Sequence, residues 1–301
     1  QRSSVLTDRP VLIPPSSHWI RIGWAAILIL SLAAQDVPAR ANQAEAIRRG
    51  VTMQLKTEDY QPLGSAVVVR AAQNGYWLVT SRHVVQTIHR LCVVPFAGPP
   101  QPAQVIPLRT PSSRSAMDLA LVWQPASPAD GPVSKSRQVA RLVTSLPLAA
   151  NFQVVTASGY PTFNSNEQSG LRYIESTGLL IPLLEKPIEG GFDVASTVSV
   201  TKGMSGGGLF LGERLLAING IHAHPLWSGT LLDADGQPLK PDLNLKLEQV
   251  SLSISASAVQ RLLEAAMQPS AQDLKGIESL RCDQPKATAS QPQAVKTPLL
   301  H

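Results

Sequence analysis

The sequence predicts an all-β fold, because short strand-like segments separated by turn-forming residues dominate it. Only 16% of its 301 residues are charged, and valine, leucine, alanine, glycine and proline are abundant. Clusters of Gly, Pro, Asn and Ser separate the apolar runs, as is typical of β-barrels. A segment rich in proline and alanine, residues 125–132, divides these runs into two sets. The length that follows the leader fits one domain of two lobes.

The first 41 residues have the pattern of a secretory signal peptide. Arg2, Arg9 and Arg21 form a basic region, and residues 22–34 form an apolar run that is too short to span a bilayer comfortably. An Ala-x-Ala sequence ending at Ala41 provides a cleavage site. We therefore predict cleavage after Ala41 and export to the periplasm or the outside of the cell. The alternative is an uncleaved anchor.

The first lobe, residues 42–132, is predicted to contain six strands. They are residues 51–56, 65–70, 76–80, 91–95, 104–108 and 119–123, with a short helix over residues 84–89.

The second lobe, residues 133–267, is predicted to contain seven strands and a closing helix. The strands are residues 140–142, 152–157, 171–177, 191–195, 209–211, 214–221 and 251–256. Residues 224–245 have the composition of an exposed loop, and Ser257 is expected to cap an amphipathic helix over residues 258–266. The tail, residues 268–301, is of low complexity and is predicted to be mostly disordered.

The segment around Ser205 is the strongest functional signal. Ser205 lies between Met204 and Gly206 in the sequence Gly-Met-Ser-Gly-Gly, after one apolar run and before another. A serine on such a turn can present its hydroxyl, while its own N–H and that of Gly203 point to the same spot. These groups would supply a nucleophile and an oxyanion hole.

A base and an orienting carboxylate are present upstream. His83 follows an apolar run that ends in polar residues, and Asp118 begins another apolar run. A carboxylate that binds one imidazole nitrogen leaves the other free to accept the serine proton. The order along the chain is histidine, aspartate, serine.

These motifs resemble those of trypsin-like serine peptidases, and most closely the HtrA-type bacterial branch. The resemblance covers most of residues 50–266, and it implies two packed antiparallel β-barrels of the chymotrypsin type with a C-terminal helix. Gly64-Ser65-Ala66 is similar to the opening strand motif of the family. The histidine, aspartate and serine motifs match at His83, Asp118 and Ser205. The tail is too short for the PDZ domain that many relatives carry.

The resemblance also implies a substrate pocket and an activity. Ser199 stands at the base of the primary pocket, with walls near Gly220 and His222, so an uncharged substrate side chain is expected. The implied activity is that of a serine endopeptidase acting on peptides or proteins. Met204 excludes the salt bridge that activates digestive zymogens, and Gly208, where the family usually has proline, predicts a looser turn. The alternatives are an inactive, peptide-binding pseudoprotease and a membrane-anchored quality-control binder.

The remaining features exclude some functions. Cys92 and Cys282 could form a disulfide in an exported protein, although their spacing does not establish it. His222 and His224 have no ligand-rich neighbours, so no metal site is predicted, and no cofactor is implied. The net charge of +5 lies partly in the leader and forms no basic stripe, which argues against nucleic-acid binding.

Overall fold

The computed structural model describes residues 40–107, 117–126, 137–145, 152–162, 172–223 and 230–266, together with residues 269–270, 274, 276–277 and 279–282. The chain divides into a unit of residues 1–43 and a unit of residues 44–301. Residues 40–51 are helical; of these, 40–43 belong to the first unit, and 44–51, which we call α1, to the second. The predicted leader up to residue 39 and most of the predicted connector, residues 127–132, lie outside the described residues. No helix in the described ranges is long and apolar enough to cross a membrane.

Within the described residues, twelve strands form two closed antiparallel barrels, which confirms the predicted all-β, two-barrel fold. The first barrel has the order β1-β2-β3-β6-β5-β4, and the second has the order β10-β11-β12-β9-β8-β7. The strands of the first barrel are β1 (Thr52–Lys56), β2 (Pro62–Ala72), β3 (Gly75–Ser81), β4 (Arg90–Val94), β5 (Gln101–Ile106) and β6 (Leu119–Pro125). Those of the second are β7 (Val154–Gly159), β8 (Ile174–Ile181), β9 (Val194–Ser196), β10 (Gly208–Leu211), β11 (Arg214–Ile221) and β12 (Ser251–Ser255).

The alternation of side chains along β3 shows how the hydrophobic cores are divided. Tyr76 and Leu78 point into the core of the first barrel. Trp77 and Val79, on the opposite face, join a core that also contains residues of the second barrel. Every residue of β3 is buried, so its residues 76–79 are apolar without alternation. Trp77 also makes an edge-to-face contact with Trp123 of β6, with ring centroids 5.0 Å apart.

Several of the local predictions differ from the structure. Residues 140–142 do not form a strand, although Leu142 makes one isolated bridge to Leu215. Residues 84–89 do not form a regular helix, and His83 itself lies in a 3-10 turn, Arg82–Val84. The predicted loop over residues 224–245 contains the start of a helix, α2 (Pro241–Leu247), because proline is favourable at the first helical position.

The closing helix, α3 (Ala256–Ala265), begins earlier than predicted. Its N-cap is Ser255, not Ser257. The side chain of Ser255 makes no cap hydrogen bond, because it binds Asp193 instead. Its hydroxyl donates to Asp193 Oδ2 at 2.6 Å, and its backbone N–H donates to Asp193 Oδ1 at 2.7 Å. Asp193 therefore takes the place of an ordinary side-chain cap at the start of α3.

Asp193 is expected to make the stability of the fold depend on pH. Burial raises the pKa of Asp193, against the opposing effect of its hydrogen bonds from Ser255. The folded state then holds the proton more tightly than the unfolded state, so the free energy of unfolding falls as the pH rises through this pKa. Urea unfolding between about pH 4 and pH 7 should show this slope in the native protein and a shallower slope in Asp193→Asn. Equal slopes for the two proteins would contradict the prediction.

Part of the C-terminal tail packs on the first barrel, although the sequence predicts mostly disorder. Cys282 forms a disulfide with Cys92 of β4, across a sequence separation of 190. Both cysteines are buried together with Leu280. Nearby, Arg90 Nη1 donates to the carbonyl of Gly276 at 3.2 Å. The tail thus covers the outer side of β4.

Candidate active site

His83 and Asp118 form a close pair with two hydrogen bonds. The Nδ1 atom of His83 lies 2.7 Å from Asp118 Oδ2, and the backbone N–H of His83 donates to Asp118 Oδ1 at 2.9 Å. The carboxylate is mostly buried, whereas 47% of the imidazole side chain is exposed. One face of the ring is therefore open to solvent while its Nδ1 edge is fixed.

The pairing of β3 with β6 brings these two residues together. Ser81 is opposite Leu119 in the register of this antiparallel pair. His83 follows Ser81 by two residues, and Asp118 directly precedes Leu119, so both emerge at the same end of the pair. The backbone N–H of Asp118 also donates to the carbonyl of Gly190 at 2.7 Å. Gly190 lies in a 3-10 turn, Glu189–Gly191, just before β9, so segments of both barrels position the carboxylate.

Ser205 lies in the loop before β10 and is held against the first barrel. Its carbonyl accepts a hydrogen bond from the backbone N–H of Ser65 at 2.9 Å. A side chain at Gly64 would meet both Val84, the neighbour of His83, and the carbonyl of Ser205, within 2.8 and 3.1 Å. The loop therefore packs closely beside the histidine turn. The hydroxyl of Ser205 donates to the carbonyl of Gly220 at 3.2 Å, and no hydrogen bond joins it to His83.

Two backbone amides beside the serine lack a protein acceptor in the described structure. The carbonyl of Lys202 accepts from Thr162 N–H, so the N–H of Gly203, on the opposite side of that peptide plane, points away from Thr162. The carbonyl of Met204 accepts a hydrogen bond from Gly207 N–H. The N–H of Ser205, on the opposite side of that peptide plane, therefore points away from Gly207. Neither of these N–H groups donates a hydrogen bond within the described ranges. A pair of unoccupied N–H donors flanking a serine can bind an oxyanion.

Ser65, through its side chain, and Asn219, through its backbone carbonyl, hold this loop in place. Ser65 Oγ donates to the carbonyl of Gly203 and accepts from the N–H of Tyr160, both at 2.8 Å. The carbonyl of Asn219 accepts from Gly206 N–H and from Ser81 Oγ, also at 2.8 Å. Both Ser65 and Asn219 are fully buried. Because buried polar groups are costly when unpaired, these bonds restrict the loop to one arrangement.

Gly206 is expected to be intolerant of any side chain. Its φ is +82°, and an added Cβ would lie 2.1 Å from both the carbonyl of Ser65 and the hydroxyl of Thr80. We expect Gly206→Ala to lower the free energy of unfolding by more than the cost of placing alanine at a positive φ. Any activity of Ser205 should fall as well.

Gly236 provides the matched control for this substitution. Its φ is +79°, but an added Cβ would meet nothing within 4 Å. Urea unfolding of Gly236→Ala measures the cost of the positive φ, and the excess in Gly206→Ala measures the steric clash. An excess below about 1 kcal/mol would show that the loop can move aside.

The predicted pocket residues have different surroundings. Gly220, at the end of β11, provides the carbonyl that binds Ser205 Oγ. Ser199 is exposed after β9, and its N–H donates to Ser176 Oγ. His222 lies just beyond β11, with Nδ1 2.8 Å from the carbonyl of Ala223. Neither Ser199 nor His222 is hydrogen-bonded to Ser205.

A cavity of about 300 Å³ lies directly beside Asp118. Polar residues at its edge include Arg82 and Glu189. Its apolar lining consists of Ile188, Phe192, Ile221, Leu231 and Leu232. Such a cavity can receive an apolar side chain close to the His83–Asp118 pair.

No metal ligand set is found among the described residues. No group of three or more His, Cys, Asp or Glu side chains there is arranged to hold a metal ion. His224, which the sequence pairs with His222, lies outside the described residues.

Comparison with known proteins identifies the architecture. No family model matches the sequence, and no curated protein matches it significantly. Among solved structures, the HtrA-type protease AlgW with a decapeptide matches with a TM-score of 0.51 at 16% identity. The chain has the fold of an HtrA-type protease. The match covers 75% of this chain and 66% of AlgW, so the chain spans just under two thirds of that protein's length.

Several residues that position the site were not predicted as such from the sequence. The sequence places Ser65 in a strand motif and Asn219 within a predicted strand, and no pattern in it indicates a role for Gly190. An asparagine inside an apolar strand is unusual and could have indicated a buried polar role for Asn219. No local pattern indicates the contact of Gly190 with Asp118, because 72 positions separate them in the chain.

Proposed function

We propose that this protein is an exported serine endopeptidase that cleaves peptide bonds through Ser205, His83 and Asp118. The observation that carries the proposal is the double hydrogen bond between His83 and Asp118. It fixes the imidazole with its Nδ1 proton directed at the carboxylate, and the other ring nitrogen is then available as a base.

Each group has one role in the proposed reaction. Ser205 Oγ attacks the peptide carbonyl while His83 takes its proton, and His83 later donates that proton to the leaving amine. Asp118 stabilises the imidazolium that forms between these steps. The N–H groups of Gly203 and Ser205 bind the oxyanion, each contributing roughly 3–4 kcal/mol to transition-state stabilisation.

The reaction requires the Ser205 hydroxyl to change its hydrogen-bond partner. It donates to the carbonyl of Gly220, and this hydrogen bond must break before His83 can accept the proton. Catalytic hydrogen bonds are often absent or long without substrate and tighten in the complex. We propose that a bound peptide takes over the Gly220 carbonyl with one of its own N–H groups, which releases the hydroxyl.

The proposed substrates are peptides or proteins with an uncharged residue at the cleaved bond. Ser199, at the base of the proposed primary pocket, carries no charge, and Gly220 and His222 form its walls. The apolar cavity beside Asp118 supports binding of a second, apolar side chain. AlgW was solved with a decapeptide, which is consistent with an extended peptide here. Cleavage of a peptide library followed by mass spectrometry tests this, and a dominant preference for Arg or Lys would contradict it.

We further propose export, on the basis of the leader and the disulfide. Disulfides persist in oxidising compartments and are rare in the cytosol, and Cys92 is bonded to Cys282. N-terminal sequencing of exported protein should give Asn42 as the first residue. A retained leader would instead favour the anchored binder.

A fluorophosphonate probe tests catalysis directly. The probe should label the native protein on Ser205, and Ser205→Ala should abolish the labelling. Ser279→Ala is the matched control, because it removes an exposed hydroxyl outside the site and should leave labelling intact. A folded native protein that is not labelled would contradict the proposal and favour the peptide-binding pseudoprotease.

A further inference from the structure

Met204 lies between the two residues whose backbone N–H groups are proposed to bind the oxyanion, Gly203 and Ser205. Its side chain is fully buried and belongs to the core of the second barrel, together with Val155 and Leu209. Residues 203–207, which we call the serine loop, otherwise contain only glycine and Ser205. Met204 is therefore the single apolar side chain by which the serine loop joins this core.

The backbone on both sides of Met204 is held by hydrogen bonds. Its N–H donates to the carbonyl of Thr201 at 3.0 Å. The same peptide plane carries the carbonyl of Gly203, which accepts from Ser65 Oγ at 2.8 Å. The next plane is held through the carbonyl of Met204, which accepts from Gly207 N–H at 2.9 Å. Both peptide planes that contain Met204 are thus held by uncharged groups.

The end of β7 packs directly against Met204. An added Cβ at Gly159, the last residue of β7, would lie 2.9 Å from Met204 Cα and 3.0 Å from Met204 Cβ. An added Cβ at Gly207 would lie 2.1 Å from the carbonyl of Ser158, the preceding residue of β7. Glycine on the strand and glycine on the loop allow this close approach. The position of the serine loop is therefore set by contact with a buried strand, and Met204 is the part of the loop that enters the core.

We infer that Met204 is a positioning residue, which holds the N–H groups of Gly203 and Ser205 in the arrangement that binds the oxyanion. The inference rests on the proposed function, because it gives Met204 a part in the same reaction. Without this side chain, hydrogen bonds alone would hold the serine loop, and the directions of the two N–H groups would vary. An oxyanion hole stabilises the transition state only when its donors are preorganised. The loss therefore falls on kcat more than on substrate binding.

Truncation of Met204 tests this through steady-state kinetics on a fluorogenic peptide. Met204→Ala should lower kcat by at least about tenfold and change KM by less than about threefold. Met204→Leu replaces the side chain by an apolar one of similar volume and should keep kcat within about threefold of the native value. Met204→Val is a smaller truncation, and its kcat should lie between the two. This variant carries the test if the alanine variant does not fold.

Leu180→Ala is the matched control. Leu180 is buried in the same core as Met204, and alanine removes three heavy atoms at either position. Leu180 lies further along β8 than Ile174, the residue that pairs with Gly159, so it is remote from the serine loop. Urea unfolding should show a loss of stability in both alanine variants, whereas only Met204→Ala should lose kcat.

A peptide aldehyde measures the oxyanion hole directly. Ser205 Oγ adds to the aldehyde carbon, its proton passes to His83, and the carbonyl oxygen becomes an oxyanion that faces the two N–H groups. The corresponding alcohol has no carbonyl and binds without an oxyanion. Acetyl-Gly-Ala-leucinal should bind to Met204→Ala at least about tenfold more weakly than to the native protein. Acetyl-Gly-Ala-leucinol should bind equally to both.

Several outcomes would overturn the inference. They are equal losses of kcat in Met204→Ala and Leu180→Ala, equal weakening of the aldehyde and the alcohol, and a Met204→Leu variant as slow as Met204→Ala. If the native protein reacts with fluorophosphonate, any of these outcomes refutes the role of Met204 and leaves the proposed function standing. A native protein that neither reacts with fluorophosphonate nor hydrolyses the peptide would refute the proposed function, and the role of Met204 with it.

Discussion

Replacing Asp118 by asparagine is expected to lower kcat by about 10⁴-fold while leaving the fold intact. Asp118 accepts two hydrogen bonds from His83, one from the backbone and one from Nδ1. Asparagine has one oxygen, and its NH₂ group would face one of these two donors. If the NH₂ faces Nδ1, the ring must keep its proton on Nε2, and it can no longer accept the proton of Ser205.

Steady-state kinetics with a fluorogenic peptide separate this effect from a loss of binding. The change should appear in kcat with little change in KM, because the carboxylate does not line the primary pocket proposed here. Asp242→Asn is the matched control, since Asp242 is exposed at the start of α2, and its activity should be unchanged. A variant Asp118→Asn with nearly normal kcat would exclude the proposed role of Asp118.

The positions of His83 and Asp118 could be predicted because each follows or precedes a strand that the sequence shows clearly. The β3 and β6 segments each contain an unbroken apolar stretch, residues 76–79 and 119–123, since both of their faces are buried. Their ends are therefore sharp, and the first polar residues there stand out. β3 alternates poorly because its inner face lies in the core of the first barrel and its outer face lies in the core shared with the second barrel.

The support around the serine loop could not be predicted, because it depends on pairs that are distant in the chain. Ser65 and Gly203 are 138 positions apart, as are Ser81 and Asn219. A hydrogen bond of this kind leaves no periodic pattern in either segment. The start of α3 was misplaced for the same reason, since Asp193 acts on Ser255 across 62 positions.

The glycine at position 208, where the resemblance leads one to expect proline, has a steric reason. An added Cβ at this position would lie 2.2 Å from the ring of Phe210, and Phe210 is fully buried. The ring fills the space that a proline would need. Glycine at position 208 therefore leaves room for the aromatic ring of the residue two positions later. The packing around the serine loop is dense.

Removing the Cys92–Cys282 disulfide is expected to lower the free energy of unfolding by about 2–5 kcal/mol. The bond closes a loop across a sequence separation of 190, and loop-closure entropy for that length gives roughly 5 kcal/mol as the upper end. The bond acts mainly on the unfolded chain, so the loss should appear in global unfolding and not only in release of the tail. Urea denaturation of the double variant Cys92→Ala, Cys282→Ala measures this.

The native protein in reductant is the control for that double variant, because it lacks the bond but keeps both side chains. The two should unfold at similar urea concentrations, below that of the oxidised native protein. Cys92 lies within β4, and both cysteines pack against Leu280, so any further loss in the double variant measures the packing of the two sulfur atoms. Equal midpoints for the oxidised and reduced protein would show that packing of the tail alone holds it on the first barrel, and that the disulfide contributes no stability.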